Sequence, residues 1–286
     1  MQNIDYFDMI QKRESCREFS DKTVEQESLD ALREYFSEAD RLIPEIELSM
    51  EIYDGSIAER LGQAAGYNGF LIKAPQYLVF YSDEAAHYLE NAAYVAQGVT
   101  LKLTQLGLAA CWLTINKPET IVSELNPGSY DKAAVVVAFG YRDAGKEDAR
   151  LDIKSPSNVK LIKSGTRKAP KLGYDTFASY GSLGQAVPDY LLFDDFKDAL
   201  VAMATAQSFF NRQPYRALVD DTGINLIAYT DELTESSDEH LNYGIVMFNY
   251  AAVLGQNRHQ TPAWTFDEPD NLKLPDGYFF VARANS

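Results

Sequence analysis

Two long segments without turn signals, HYLENAAYVAQGVTLKLTQLG at 87–107 and EHLNYGIVMFNYAAVLG at 239–255, stand at the same place in the two halves of the chain. Each is too long and too continuous for a strand and is apolar around most of its circumference, so each reads as a buried helix; the first ends at Gly107 as a C-cap. Each follows a short apolar run of strand character, QYLVFYS at 76–82 and INLIAYT at 224–230, and each precedes two more. In the first half these are LAACWL and AAVVVAFGY (133–141); in the second they lie near 262–266 and 277–283. A shorter helix stands ahead of each set. At 24–39 it carries Leu29, Leu32 and Phe36 on one face after Thr23 as N-cap, and it has a counterpart at 193–207. Glu45 to Tyr53 alternates Ile46, Leu48, Met50 and Ile52 with Glu47, Ser49 and Glu51, the pattern of a half-buried strand. The recurrence predicts an α+β fold of two pseudo-repeated halves, with a mostly antiparallel sheet and the two long helices at the centre. Two unrelated domains are the alternative. The halves are expected at 1–175 and 190–286, forming one compact unit, and the polar, Gly/Pro/Ser-containing stretch from about 145 to 190 reads as a long irregular connection.

Composition narrows the function classes. Forty-two acidic against 26 basic residues give a net charge of −16, which repels nucleic acid and anionic membrane at long range. No run of about 18 uncharged apolar residues occurs, and the first residues, MQNIDYFDMIQKRES, lack a secretory apolar core. The expectation is a cytoplasmic protein with no membrane or nucleic-acid partner. Cys16 and Cys111 are too few for a disulfide framework or a thiolate metal site, and His87, His240 and His259 have no ligand spacing. Against the acidic background, KSPSNVKLIKSGTRKAPK at 154–171 carries six cations and no acid. It is either the neighbour of an anion or a solvated basic linker.

Three segments can carry chemistry. RESCREF at 13–19 offers Arg13, Ser15 and Arg17 at alternate positions, so an extended backbone turns two guanidinium forks and a hydroxyl to one face, where they can converge on a phosphate. Surface charges pairing with Glu14, Glu18 and Asp21 would give the same string. AQSFFNRQPY at 206–215 places the amides Asn211 and Gln213 two apart before Pro214, a pair able to match the donors and acceptors along a heterocycle edge; an ordinary helix terminus is the other reading. LGLAACWLT at 106–114 is a tight turn into a strand whose peptide groups can lie against a flat ligand, with Trp112 a core or lining aromatic. Cys111 has no base near it in sequence and reads as structural. No Gly-x-Gly-x-x-Gly follows a strand, and no Walker loop, Gly-x-Ser-x-Gly elbow or His-Glu zinc motif is present, so hydrolase and kinase chemistry lack their usual support.

Together these segments resemble the nitroreductase family of flavoenzymes. RESCREF with the following DKTV is similar to the family's opening RRSxRxF motif, AQSFFNRQPY to APSxxNxQPW, LGLAACW to LGLGTCW after the long helix, VVVAFGYRD to a VVxxGYP strand, and TRKAPK to a basic segment closed by proline. The Asn-x-Gln-Pro motif, normally near the first helices, stands here near residue 211, an order that resembles single-chain members in which one polypeptide supplies what a homodimer draws from two subunits. The resemblance implies an FMN-dependent oxidoreductase with NADH or NADPH as co-substrate and a small nitroaromatic or quinone acceptor, acting as monomer or homodimer. Because the chemistry is the flavin's, no catalytic side chain is implied. A non-catalytic FMN-binding sensor of the same fold is the alternative. Carried over, Arg13, Ser15 and Arg17 meet the FMN phosphate and ribityl chain with Arg167 and Lys168. Ser208, Asn211 and Gln213 approach from the second half, and the Trp112, Leu113 and Thr114 backbone lies beside the reactive ring edge. Arg17 or Lys168 is the implied cation at the N1–O2 edge. Gln207 and Tyr215 depart from the family's proline and tryptophan, which bears on the ring pocket, and Asn242 departs from an aspartate, which bears on helix packing.

Overall fold

The computed structural model describes residues 4–67, 70–146, 149–155, 158–163, 169–258 and 261–285. In chain order the elements are α1 (Tyr6–Lys12), α2 (Gln26–Glu38), β1 (Leu48–Asp54), α3 (Ala58–Leu61), β2 (Gln76–Ser82), α4 (Tyr88–Gln105), β3 (Ala109–Leu113), α5 (Pro118–Leu125), β4 (Lys132–Gly140), β5 (Ala149–Ser155), β6 (Asn158–Lys163), α6 (Tyr174–Phe177), β7 (Ala178–Tyr180), α7 (Asp194–Ala204), β8 (Tyr215–Asp220), β9 (Gly223–Tyr229), α8 (Ser236–Arg258), β10 (Trp264–Thr265) and β11 (Tyr278–Asn285).

The chain divides into two compact units, Lys12–Ala169 and Met1–Gln11 with Pro170–Ser286. The N-terminal helix thus belongs with the C-terminal half. The Tyr6 amide donates to Gln256 Oε1 at 2.9 Å, the Tyr6 ring meets Phe248 edge-on at 5.6 Å, and Gln11 Nε2 donates to Thr205 Oγ1 at 3.0 Å.

The first unit is an antiparallel sheet of order β1-β2-β4-β3. β4 lies between two neighbours and is buried from Ala133 to Gly140, which is why its sequence is a Val/Ala run rather than an alternation. β1, at the edge, keeps part of the alternation that marked it. α4 connects β2 to β3, and Glu90 through Leu101 are buried all round, polar residues included. Its end is a Schellman closure. Gly107, at φ +74°, donates to Thr104 O at 3.1 Å, and Leu108 donates to Leu103 O at 2.9 Å. Apart from its chain neighbours, no atom of the described residues lies within 4 Å of where a Gly107 Cβ would sit, so Gly107→Ala carries only the left-handed backbone penalty. The expected loss is about 1 kcal/mol in urea unfolding, and an unchanged midpoint would contradict that closure.

The second unit repeats this topology. Its sheet runs β7-β8-β9-β11-β10, so β8, β9, β11 and β10 occupy the places of β1, β2, β4 and β3. α8 connects β9 to β10 as α4 connects β2 to β3, and α7 stands before β8 as α2 stands before β1. The addition is β7, paired parallel to β8. The pseudo-repeat expected from the two long helices is thus present in the strand order, as a sheet in each unit.

Three local expectations are corrected. α2 begins after Glu25, not Thr23, and has no side-chain cap. The stretch 145–190 is not an irregular connection: it contains the β5–β6 hairpin, α6 and β7. The connection expected between α7 and β9 contains β8, paired with β9 around Asp220 and Gly223. α5, with Pro118 in its first turn, connects β3 to β4.

Candidate functional site

Within the first unit, residues 14–20 are held extended between two partners. On one side Ser15 forms a parallel bridge to Ala110 of β3, and the Cys16 amide donates to Ala110 O at 2.9 Å. On the other, Ser20 N donates to Tyr141 O at 2.9 Å and Asp143 N to Glu18 O at 3.1 Å. The alternation read from RESCREF is therefore imposed by pairing. Cys16 points into the core and is fully buried, while Arg13, Ser15 and Arg17 are half-buried. Glu14 pairs with Arg142 at 3.4 Å, an arginine outside the segment. Arg13 does not follow suit. Among the described residues neither its guanidinium nor the Ser15 hydroxyl forms a hydrogen bond or ion pair. Burial pulls the Arg13 guanidinium down to about 10, Arg17 adding to the shift and Cys111 and Glu14 opposing it. At neutral pH a half-desolvated cation stands beside a second cation, with no hydrogen-bonded or ion-paired anion among the described residues.

β3 supplies a second feature beside it. Ala110 O accepts from Cys16, and Thr114 O accepts from Gly66 N at 2.8 Å, both on the strand edge away from β4. Peptide groups alternate along a strand, so the N–H and C=O of Trp112 face the same edge, between those two anchors. The Trp112 indole donates to Thr100 Oγ1 of α4 at 3.2 Å, which fixes the ring as a packing aromatic. Leu113 is buried.

In the second unit the sequence 208–213 forms a tight turn with three residues in the left-handed region: Phe210 (φ 47°), Asn211 (φ 60°) and Gln213 (φ 50°). Such geometry costs on the order of 1–3 kcal/mol per residue and persists only when over-determined. Here Ser208 O accepts from Asn211 N at 3.0 Å, Ser208 Oγ from Gln213 N at 3.1 Å, and Asn242 Oδ1 from Phe209 N at 3.0 Å. Asn211 Nδ2 donates to Pro170 O at 2.7 Å. Gln213 is committed at both ends of its amide, Nε2 to Ala204 O at 2.6 Å and Oε1 from Leu172 N at 3.3 Å. Two polar atoms at or beside the turn, Asn211 Oδ1 and Asn242 Nδ2, are buried with no hydrogen-bond partner among the described residues. Arg167 and Lys168 lie outside the described residues. Among the described residues no group of three or more His, Cys, Asp or Glu could hold a metal ion, and no helix is long and apolar enough to cross a membrane.

A family model described as "Putative TM nitroreductase" matches residues 5–176, more than half of the chain. The chain belongs to this nitroreductase family. The family match takes in the Arg13–Arg17 segment, α4 and β3, and ends before the 208–213 turn. A solved nitroreductase-type protein of Thermotoga maritima is similar in fold, with a TM-score of 0.57 at 12% identity over 99% of this chain and 94% of its own. An FMN-dependent nitroreductase of Clostridium difficile R20291 aligns with 49% of this chain and 89% of its own, at 24% identity and TM-score 0.42. A nitroreductase of Desulfovibrio desulfuricans crystallised with FMN aligns with 52% and 92%, at 18% identity and TM-score 0.43. No curated protein matches the sequence.

In this nitroreductase-family chain several contributors escaped sequence reasoning. Arg142 reaches back to Glu14, but only the pairing of 18–20 with 141–143 brings them together. Asn242 bears on the 208–213 turn through Phe209, beyond the helix packing expected of it. Lys171, the last cation of the basic segment, donates to Ala206 O at 2.8 Å and so helps tie 170–172 to the end of α7. A cavity of about 150 Å³ in the second unit is lined by Leu191, Phe193, Phe196, Val219, Asp220 and Arg258, none of them a sequence candidate.

Proposed function

We propose that this chain binds FMN and acts as an oxidoreductase taking electrons from NADH or NADPH and passing them to a small acceptor such as a nitroaromatic or quinone. The observation that carries the reading is Arg13: a half-buried guanidinium with no hydrogen bond or ion pair among the described residues, beside Arg17 and a Ser15 hydroxyl likewise unbonded among them. Two forks and a hydroxyl suit a dianionic phosphate, and binding one relieves the repulsion between the two cations. The donor set therefore fits the FMN phosphate. FMN, when bound, supplies the two-electron chemistry; the protein's part is binding, orientation and electrostatics.

Trp112 contributes a peptide N–H on the strand edge away from β4, between the Ala110 and Thr114 anchors, a donor for the electron-rich edge of the ring. Ser208, Asn211 and Gln213 are proposed as further flavin-binding residues. Asn211 Oδ1 is a buried acceptor with no donor among the described residues, and an imide N–H is a group that would satisfy it. Gln213, its amide engaged at both ends, acts chiefly by holding the turn. Arg167 and Lys168 are proposed for the phosphate end on the family resemblance alone.

Purified protein soaked in FMN and desalted is expected to retain flavin absorbance. Anaerobic NADH or NADPH should bleach it, and a quinone or nitroaromatic should restore it. Absence of flavin after soaking would overturn the binding reading. Flavin that neither nicotinamide reduces would leave binding in place and overturn the oxidoreductase, making the chain a flavin-binding sensor instead.

A further inference from the structure

The only two cysteines of the chain, Cys16 and Cys111, are far apart in sequence and adjacent in the fold. Ser15 bridges Ala110 in parallel register, so the next pair in that register is Cys16 with Cys111. Registered residues on neighbouring strands point to the same face, and both thiols enter one apolar cluster with Ile57, Leu61, Tyr77 and Val136. Neighbouring strands run about 4.8 Å apart, within the Cα separation of roughly 4.4–6.8 Å that a disulfide spans. A buried residue touches about 6–12 others, so two cysteines placed at random in a chain of 286 would meet about 2–4 times in a hundred.

Both are thiols here. Cys16 Sγ donates to Glu18 O at 3.2 Å and Cys111 Sγ to Trp112 O at 3.6 Å. Guanidiniums stand around them. Arg142 and Arg17 act on Cys16, and Cys111 acts on Arg13. Burial nevertheless pushes the Cys16 thiol up, so at neutral pH it is protonated and slow to react, while the nearby cations favour the thiolate once it forms.

We infer that Cys16 and Cys111 are a redox-active dithiol, closed to an intramolecular disulfide by a small peroxide, which fastens the Arg13–Arg17 segment covalently to β3. One thiolate attacks the peroxide oxygen, giving a sulfenic acid and, after protonation, water or an alcohol. The second thiol attacks the sulfenic sulfur, forms the S–S bond and releases water; two electrons pass from the sulfurs to the peroxide. A dithiol reductant reverses the closure. The inference stands on the strand register and not on flavin binding, so its failure and that of the flavin reading are separate results.

The test uses the full chain without flavin. Folded protein is treated with hydrogen peroxide at mildly alkaline pH; a second sample is refolded from urea in oxidised glutathione, which does not depend on access to the buried pair. Each is then denatured, alkylated with iodoacetamide and weighed intact. The expected product carries no alkyl group and is two hydrogens lighter, and dithiothreitol returns it to two alkylatable thiols. Cys16→Ala and Cys111→Ala should each abolish the two-hydrogen loss, and either variant that folds suffices. Closure in either sample supports the pairing. Two free thiols in both, or only chain-to-chain or glutathione adducts, overturn it.

Discussion

Replacing Arg13 and Arg17 together by alanine is expected to weaken FMN binding by two to four orders of magnitude, and Arg13→Ala alone should leave the apoprotein as stable as before or more so. The first half follows from the bonds at stake: a charge-assisted hydrogen bond contributes about 1.5–3 kcal/mol, two are removed, and each 1.4 kcal/mol is a factor of about ten. The second half follows from Arg13 itself. Its guanidinium forms no hydrogen bond or ion pair with the described residues, and burial already penalises its charge, so truncation removes a desolvation cost without breaking a contact. A structural arginine would behave in the opposite way, its loss lowering the melting temperature. Arg13→Lys separates charge from geometry, since an ammonium keeps the charge and loses the fork, and it should recover part of the affinity. FMN titration and apoprotein melting decide the matter. Unchanged affinity in the double variant would remove the phosphate from this segment.

What the sequence disclosed follows the range of the interactions involved. The Gly107 closure was legible because a Schellman motif is written in neighbouring residues. β2 and β4 were legible because burial on both faces leaves an unbroken apolar run. β8 was not, because YRALVD opens with a buried tyrosine and an arginine and stands directly after the 208–213 turn, so its apolar content looks like part of a connection. The β5–β6 hairpin was hidden differently. Leu151 opposes Leu161 and Ile153 opposes Val159, a period of two that the lysines and arginine between them masked as mere polarity. Site residues divide along the same line. The alternation of Arg13, Ser15 and Arg17 could be read locally, although what holds it extended lies at Ala110 and Tyr141. The Asn211–Gln213 pair could be found, but not the division of labour between its members. That depends on Ala204 and Leu172 taking up the Gln213 amide while Asn211 Oδ1 is left over. Cys111 reads as structural from its sequence neighbours, and that Cys16 lies beside it is visible only through the register of Ser15 with Ala110.

Arg212→Ala is expected to destabilise the protein by about 1–3 kcal/mol at neutral pH, with the loss shrinking as the pH falls below about 4. Arg212 sits between Asn211 and Gln213 and grips Asp231 through Nε at 3.0 and 3.1 Å and Nη2 at 2.5 Å; Thr234 Oγ1 adds a bond to the same carboxylate at 2.6 Å. The Asp231 side chain is 5% exposed and that of Arg212 43%, so water reaches one partner, and the loss is smaller than the roughly 3–5 kcal/mol of a fully buried pair. Burial pushes the Asp231 carboxyl up, but its bonds to Arg212 and Thr234 outweigh that and hold it below its ordinary value. A carboxyl depressed in the folded state contributes stability above its unfolded value of about 3.9, and that contribution is lost as the pH falls through the lower folded value. Without Arg212 the balance reverses. Burial then dominates, the folded carboxyl rises above its unfolded value, and protonation relieves the variant while it weakens the parent. The two unfolding midpoints should therefore converge in acid. Arg212→Ala combined with Asp231→Asn should recover part of the neutral-pH loss, because the amide leaves no buried charge behind. A gap between parent and Arg212→Ala that is constant from neutral pH to below 4 would show that the ion pair does not hold the turn, and the left-handed residues at 210, 211 and 213 would then need another source of constraint.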